Sequence, residues 1–262
     1  MQGLSNPPVQ PPSRIEGGCR ATHWRAGCDP IVSIIVVLYC DRDELGALIE
    51  NLHPFRDAQT ELIVIDGGSQ DGSLDLLQEK DDQIDFWLSE PDGGIYDAMN
   101  KGIAAARGQY ILHINAGDRL RLLPLADLQI CGQRLVDVVC CRVIEDDTHL
   151  YIPRNDWLLR FANTWHHQGT FYRRTAHLGY DTAYRVFGDF DHNQRLRKAH
   201  RSVEVLDIIV ATHRTDGVSR NKETRPELFR SIRSNFGSLN VIPAFSRFQM
   251  VKLRKLLRGL RT

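Results

Sequence analysis

Ile31-Val32-Ser33-Ile34-Ile35-Val36-Val37-Leu38 is a continuous, β-branched run, the pattern of a strand covered on both faces. Reading outward, Glu44 to Leu52 has helical spacing and Glu61-Leu62-Ile63-Val64-Ile65 is a second apolar run. Ser73 to Glu79 reads as a helix, Asp85 to Ser89 as a short strand, and Tyr96 to Ala106 as an Ala-rich helix closed by Gly108. Tyr110 to Ile114 is a further strand. Strands beginning near 31, 61, 85 and 110 with helices between them predict right-handed βαβ units and a mainly parallel sheet flanked by helices. Ligands of such sheets sit beyond the carboxyl ends of the strands. The segments to inspect are therefore 39–43, 66–72, 90–94 and 115–119.

Each of those segments holds an acidic residue. Asp66-Gly67-Gly68-Ser69-Gln70-Asp71-Gly72 joins a strand to a helix. Its glycines permit positive φ, its amides suit an anion, and Asp66 can accept from a sugar hydroxyl or a base N–H. Read plainly, it is also a tight turn with Asp71 as a helix cap. Asn115-Ala116-Gly117-Asp118 offers one carboxylate for a divalent cation that shares substrate phosphates, or simply a polar turn. Neither G-x-G-x-x-G after the first strand nor G-x-x-x-x-G-K-[ST] is present, which argues against dinucleotide and Walker-type sites.

Taken together, Asp66-Gly-Gly-Ser-x-Asp-Gly, Ser89-Glu-Pro-Asp-Gly-Gly-Ile-Tyr-Asp-Ala-Met-Asn-Lys-Gly102 and Asn115-Ala-Gly-Asp118 resemble family-2 glycosyltransferases. The likeness is to bacterial members that build capsule, O-antigen and colanic-acid-type polysaccharides. It implies a single Rossmann-like domain of the type-A glycosyltransferase fold. It implies a nucleotide-diphosphate sugar donor, a UDP-sugar in first place, and Mn²⁺ or Mg²⁺ as cofactor. By the same likeness Tyr39 and Asp41 line the nucleotide pocket, Asp66 binds uracil or ribose, and Asp92 lies beside the base. Asn115 and Asp118 occupy the place of the family's DxD motif, with Asp118 the metal ligand. The chain departs from the family in having Asn115 for the first Asp and Gly188 where a Glu is usual.

In the second half, Phe187-Gly188-Asp189-Phe190-Asp191 resembles the family's segment at a helix start, and Asp189 matches the catalytic base. An inverting transfer needs such a carboxylate to take the acceptor proton. Asp189 as a helix cap and Asp191 as the base are the competing readings. Trp165-His166-His167-Gln168 gathers groups that suit a sugar: Trp165 for stacking, His167 and Gln168 for hydrogen bonds. The same residues also read as a buried aromatic strand. Thr212 to Ser219 reads as a polar loop, which by the same likeness folds over the diphosphate, with Arg214 a phosphate donor and His213 an extra metal ligand; an ordinary surface loop is the other reading.

The 262 residues carry 33 Lys+Arg and 33 Asp+Glu, a neutrality that argues against a dedicated nucleic-acid binder. That balance conceals a basic end: residues 214–262 hold twelve Lys/Arg against three Asp/Glu. Phe245 to Arg261 has the pattern of an amphipathic helix, basic on one face, suited to an anionic membrane surface or to packing on its own domain. No apolar run is long enough to span a membrane and no signal pattern opens the chain, so the expected place is the cytoplasm, peripheral on the inner face of the membrane. Six cysteines without a CxxC pair read as cytosolic thiols. The Pro- and Gly-rich residues 1–29 read as a flexible leader. Residues 30–220 form the transferase domain, divided into a nucleotide half (30–123) and an acceptor half (124–220), and 221–262 form the basic helical tail. The expected reaction is sugar transfer to a glycan or polyprenyl-linked acceptor. A nucleotidyltransferase and a degenerate, non-catalytic nucleotide-sugar binder are the rival readings.

Overall fold

Among the described residues a ten-stranded sheet carries the molecule, in the order Ile15–Gly17, Phe86–Ser89, Thr60–Asp66, Val32–Leu38, Tyr110–His113, Thr170–Arg173, Val138–Glu145, Val203–His213, Arg119–Leu120, with His149–Tyr151 paired to Val138–Glu145. The computed structural model describes residues 14–20, 29–214 and 225–245. Its parallel heart is β2 (Val32–Leu38), β3 (Thr60–Asp66), β4 (Phe86–Ser89) and β5 (Tyr110–His113). The helices between these strands are α1 (Arg42–Leu52), α2 (Ser73–Glu79) and α3 (Ile95–Ala105). All seven residues of β2 and all seven of β3 are buried, as their unbroken runs predict. Alternation divides them between two cores. Ile34, Val36 and Leu38 pack with Leu45, Leu48 and Ile49 of α1, whereas Ile35 and Val37 pack with Tyr96 and Met99 of α3. Gly102 lets α3 lie against β2, since a Cβ there would stand 2.5 Å from Ile35 Cγ2.

Antiparallel strands extend the sheet on both sides. On one side β9 (Thr170–Arg173) joins β5 to β7 (Val138–Glu145), and β10 (Val203–His213) runs parallel to β7. The short β6 (Arg119–Leu120) pairs with the end of β10, and β8 (His149–Tyr151) folds back on β7. Helix α4 (Leu125–Gln133) precedes β7, and α5 (Gly188–Lys198) precedes β10. On the other side the expected leader is not all irregular. Residues Ile15–Gly17 form β1 on the outer edge of β4, and Arg20 reaches the buried Glu61 at 2.6 Å. A three-residue strand among Pro and Gly has little local signal; the open edge of β4 supplies its pairing.

Helix α6 (Arg225–Phe236) packs on α5, and Glu227 accepts from the backbone N–H groups of Arg185 and Val186. The amphipathic helix expected over 245–261 lies outside the described residues, except for Phe245. Among the described residues no helix is long and apolar enough to cross a membrane. The described cysteines are free thiols.

Candidate active site

Register brings the carboxyl ends of β2, β3 and β4 level: Leu38 pairs with Asp66, and Asp66 with Ser89. The loops leaving these ends are knit together. Cys40 N–H donates to Ser69 Oγ at 2.7 Å, and Arg42 N–H donates to Asp71 at 3.0 Å. Between them Gly67 forms the floor of a cleft. A Cβ on Gly67 would lie 2.7 Å from Asp92 Oδ2 and 3.3 Å from the Tyr39 ring, so the two side chains close over it. Tyr39 is largely exposed, as a ring waiting for a planar partner would be. Burial lifts the Asp92 carboxyl above the usual carboxylate range. Asp41 is also lifted, by burial and then by Glu44 and Asp71 nearby.

Asp66 does not face this cleft with free oxygens. It is fully buried, and it accepts from Ser69 N–H, Ser69 Oγ and Ser89 Oγ. The expectation that it touches uracil or ribose is corrected: its oxygens hold the 66–72 turn in shape. Asp71 secures the far side of that turn by accepting from the Ser73 hydroxyl at 2.6 Å.

Three distant segments meet at the 115–118 turn. Asp118 Oδ1 lies 2.7 Å from His213 Nδ1 at the end of β10. Asp118 Oδ2 accepts from Gln168 Nε2 at 2.8 Å and from Asn115 N–H at 3.0 Å. Burial disfavours charge on His213, yet the bond to Asp118 and the charges of Asp118, Glu145 and Asp146 raise it above the ordinary imidazole value. Arg214, the next residue, crosses to α1 and donates to Glu44 at 2.6 Å. Asp118, His213 and Gln168 are thus brought into direct contact, with Arg214 next to His213 in the chain. The rest of the 212–219 loop lies outside the described residues.

The buried Asn115 Oδ1 has no hydrogen-bond partner. An amide oxygen in the same turn as Asp118, a carboxylate and the His213 imidazole are donor types that suit Mn²⁺ or Mg²⁺. Among the described residues no three His, Cys, Asp or Glu groups converge as a ready-made metal cage. A cation held here would depend on substrate oxygens for its remaining ligands, as Mg²⁺ commonly does.

Asp189 sits in the first turn of α5, half-buried. It accepts from Asn163 Nδ2 at 2.8 Å and from Tyr96 Oη at 3.4 Å. Desolvation raises its carboxyl above the usual range, the direction that favours proton acceptance. Asp191 is otherwise engaged: Arg195 Nε donates to it at 2.7 Å and Asn235 Nδ2 at 2.9 Å. The chain also explains its own lack of a Glu at 188. A Cβ on Gly188 would stand 2.7 Å from the Tyr96 ring, so that space is already filled.

Two expected sugar contacts are corrected. Trp165 is wholly buried in the core of Val138, Tyr172 and Phe190 and has no face for a sugar. His167 is buried too, stacked on His113 with ring centroids 4.9 Å apart. It belongs to a cluster with His177, His192, Tyr172 and Tyr180. The group that reading the sequence missed is His166. Its Nε2 is 3.5 Å from Glu145 and its ring meets His213 edge-on at 5.1 Å. Two adjacent histidines in the sequence did not reveal which one faces the mouth. Asn163 and Tyr96 were missed as well, although Tyr96 lies inside one of the quoted motifs.

This arrangement can seat a base and diphosphate at one mouth, with a proton acceptor beside it. The family model of glycosyl transferase family 2 matches residues 33–188, which run from β2 into the start of α5. The chain belongs to glycosyl transferase family 2. An uncharacterized glycosyltransferase of Mycobacterium tuberculosis is 41% identical over 91 residues, covering 34% of this chain and 35% of that protein. The match thus spans about a third of that relative's length. A PGL/p-HBAD biosynthesis glycosyltransferase of Mycobacterium bovis is 28% identical over 215 residues, 78% of this chain and 84% of that one. Among solved structures, S. aureus TarS 1–349 in complex with UDP-GlcNAc has a TM-score of 0.62 at 14% identity, covering 83% of this chain and 71% of that one. Mannosyltransferase PcManGT of Pyrobaculum calidifontis, in complex with GDP-Man and Mn²⁺, has a TM-score of 0.55 at 13% identity, covering 92% and 84%. The fold of this family-2 glycosyltransferase is accordingly of the type-A kind.

Proposed function

We propose that this enzyme is an inverting, metal-dependent transferase that moves a sugar from a nucleotide diphosphate, a UDP-sugar in first place, to a glycan or polyprenyl-linked acceptor of surface polysaccharide synthesis. The observation that carries the reading is the meeting of Asp118, Gln168 and His213 from three distant segments beside the Tyr39–Asp92 cleft. The nucleotide-sugar complexes of the structural neighbours and the biosynthetic name of the mycobacterial relative support the donor and acceptor classes.

On this reading Tyr39 covers the base, while Asp41 and Asp92 line the nucleoside and Asn115 the sugar-phosphate side. Asp118 and His213 would hold Mn²⁺ or Mg²⁺, with Gln168 fixing the Asp118 carboxylate. Such a cation would supply positive charge to offset that of the departing diphosphate. Arg214 leaves Glu44 to pair with the same diphosphate. Asp189 takes the proton of the acceptor hydroxyl as its oxygen attacks the anomeric carbon, and the bond from that carbon to the diphosphate breaks. Asn163 and Tyr96 aim the base. Residues 30–220 are the catalytic domain.

Peripheral attachment to the inner face of the membrane belongs to the same proposal. Leu239, Ile242 and Phe245 are exposed on the last described segment, just ahead of the basic amphipathic pattern. Calorimetric titration of UDP with Mn²⁺ and with EDTA tests the core of the reading. Binding that needs Mn²⁺ and disappears in Asp118→Ala is the expected result. Metal-independent binding, unchanged in that variant, would contradict it.

A further inference from the structure

At the opposite end of the sheet, where β2 and β5 begin, lies a cavity of about 460 Å³ lined by Asp29, Arg107, Gln109, Arg173, Arg174 and Thr175 among others. Its frame is rigid. Gln109 N–H donates to Pro30 O and Arg174 N–H donates to Gln109 O, each at 2.9 Å. The cations are tethered as well: Arg174 Nε donates to Gly108 O at 3.1 Å and Arg173 Nη2 to Gly132 O at 2.8 Å. Backbone carbonyls orient these guanidiniums but carry no net charge to balance them. Among the described residues neither Arg173 nor Arg174 has a carboxylate within ion-pair distance. Arg107 and Arg174 are exposed residues of the cavity wall, accessible to an anion entering from solvent, while Arg173 is only partly exposed.

We propose that this cavity binds a small phosphate monoester, a phosphorylated sugar or polyol, at a site separate from the catalytic mouth. Guanidinium forks match phosphate oxygens in pairs, so Arg173 and Arg174, with Arg107 beside them, take the phosphate. The Asp29 carboxylate and the Gln109 amide on the same walls suit hydroxyl groups. The volume is in the range of pockets that enclose small ligands. The inference does not depend on the proposed donor or acceptor.

The test is calorimetric titration of the full chain with inorganic phosphate and with glucose 6-phosphate, each repeated after saturation with UDP and Mn²⁺ to fill the catalytic mouth. The expected result is one site, tighter for glucose 6-phosphate and indifferent to UDP. In R107Q/R174Q it weakens at least about tenfold while UDP affinity is unchanged. Absence of binding to the wild-type chain, displacement by UDP, or undiminished binding in the double variant would overturn the proposal. The UDP competition decides between the two sites even if the variant folds poorly. Sedimentation with phosphatidic acid vesicles that glucose 6-phosphate does not prevent would assign the arginines to a lipid headgroup and also overturn it.

Discussion

His213 and Asp118, 95 residues apart in the chain, are joined by a 2.7 Å contact between Nδ1 and Oδ1. This pair ties the end of β10 to the turn after β5. Its imidazole is raised in pKa and its carboxylate is buried. On the proposed reading His213→Ala weakens Mn²⁺-dependent UDP binding by about 10–100-fold, the usual loss for a ligand or its support. Titration calorimetry of UDP at fixed Mn²⁺ measures it, and an unchanged affinity would remove His213 from the metal set.

On the proposed reading Asp189 gives the reaction its pH dependence. A base works deprotonated, so turnover falls as pH drops through its raised pKa, and the acid limb of kcat lies above the ordinary carboxylate range. Asn163 donates to the charged form, so Asn163→Ala moves that limb to higher pH. Asp189→Asn lowers kcat by about 10²–10⁴-fold with UDP affinity intact. The pH–rate profiles of the three proteins decide the assignment. A limb that stays in place in Asn163→Ala speaks against it.

Tyr96 and Gly188 constrain each other. Gly188→Glu, which would restore the family's usual residue, forces its Cβ into the Tyr96 ring. The expected cost is about 1–3 kcal/mol of stability, as for other overpacked sites. Tyr96→Phe keeps the packing and loses the bonds to Val186 O and Asp189. Denaturant unfolding of both variants separates the two effects. A Gly188→Glu protein as stable as the wild type would show that the Tyr96 ring yields.

The histidine cluster sets acid stability. Burial depresses His113, His167 and His192 well below the ordinary imidazole value and His177 to about 3. In the folded chain these rings stay neutral, whereas unfolded histidine takes a proton near pH 6.5. The stability they contribute is therefore whole above about pH 6.5 and is lost as pH falls toward the folded values. Each ring costs about 1.4 kcal/mol per pH unit in that interval. Urea midpoints between pH 7.5 and 5 should fall steeply, and less so in His177→Phe. Equal slopes for the two proteins would acquit the cluster.

The 66–72 turn offers a separate check. Asp66→Ala leaves the Ser69 and Ser89 hydroxyls without their shared acceptor. The cost is about 1–3 kcal/mol, and the Gly67 floor of the nucleoside cleft loosens with it. Melting curves and UDP affinity should both suffer. Weaker UDP binding at unchanged stability would instead return Asp66 to direct contact with the ligand.

How far the sequence could be read depends on what local pattern encodes. Burial on both faces leaves a continuous signature, so β2 and β3 are legible from Val32–Leu38 and from Thr60–Asp66. Acidic residues at strand ends likewise point to the mouth, and Asp118, Gln168 and His213 do converge there. For Trp165 and His167 the sequence left a sugar contact and burial both open, because what an aromatic faces is decided by what packs on it, here Phe190 and His113. His166 and His167 are adjacent and chemically alike; only the fold separates a mouth residue from a core one. The reason for Gly188 was hidden for the same cause, since the ring that fills its space comes from residue 96.

The short strand Ile15–Gly17 closes the outer border of β4, and Gly17 lies so near the Trp87 indole that a Cβ would stand 2.5 Å from it. A shortened chain starting at Ile31 would uncover a row of unpaired peptide groups beside an apolar ring. Bare borders of this kind recruit the same border of another molecule. Such a protein should elute as oligomers on gel filtration while the longer chain does not, so the edge strand Ile15–Gly17 guards against self-association.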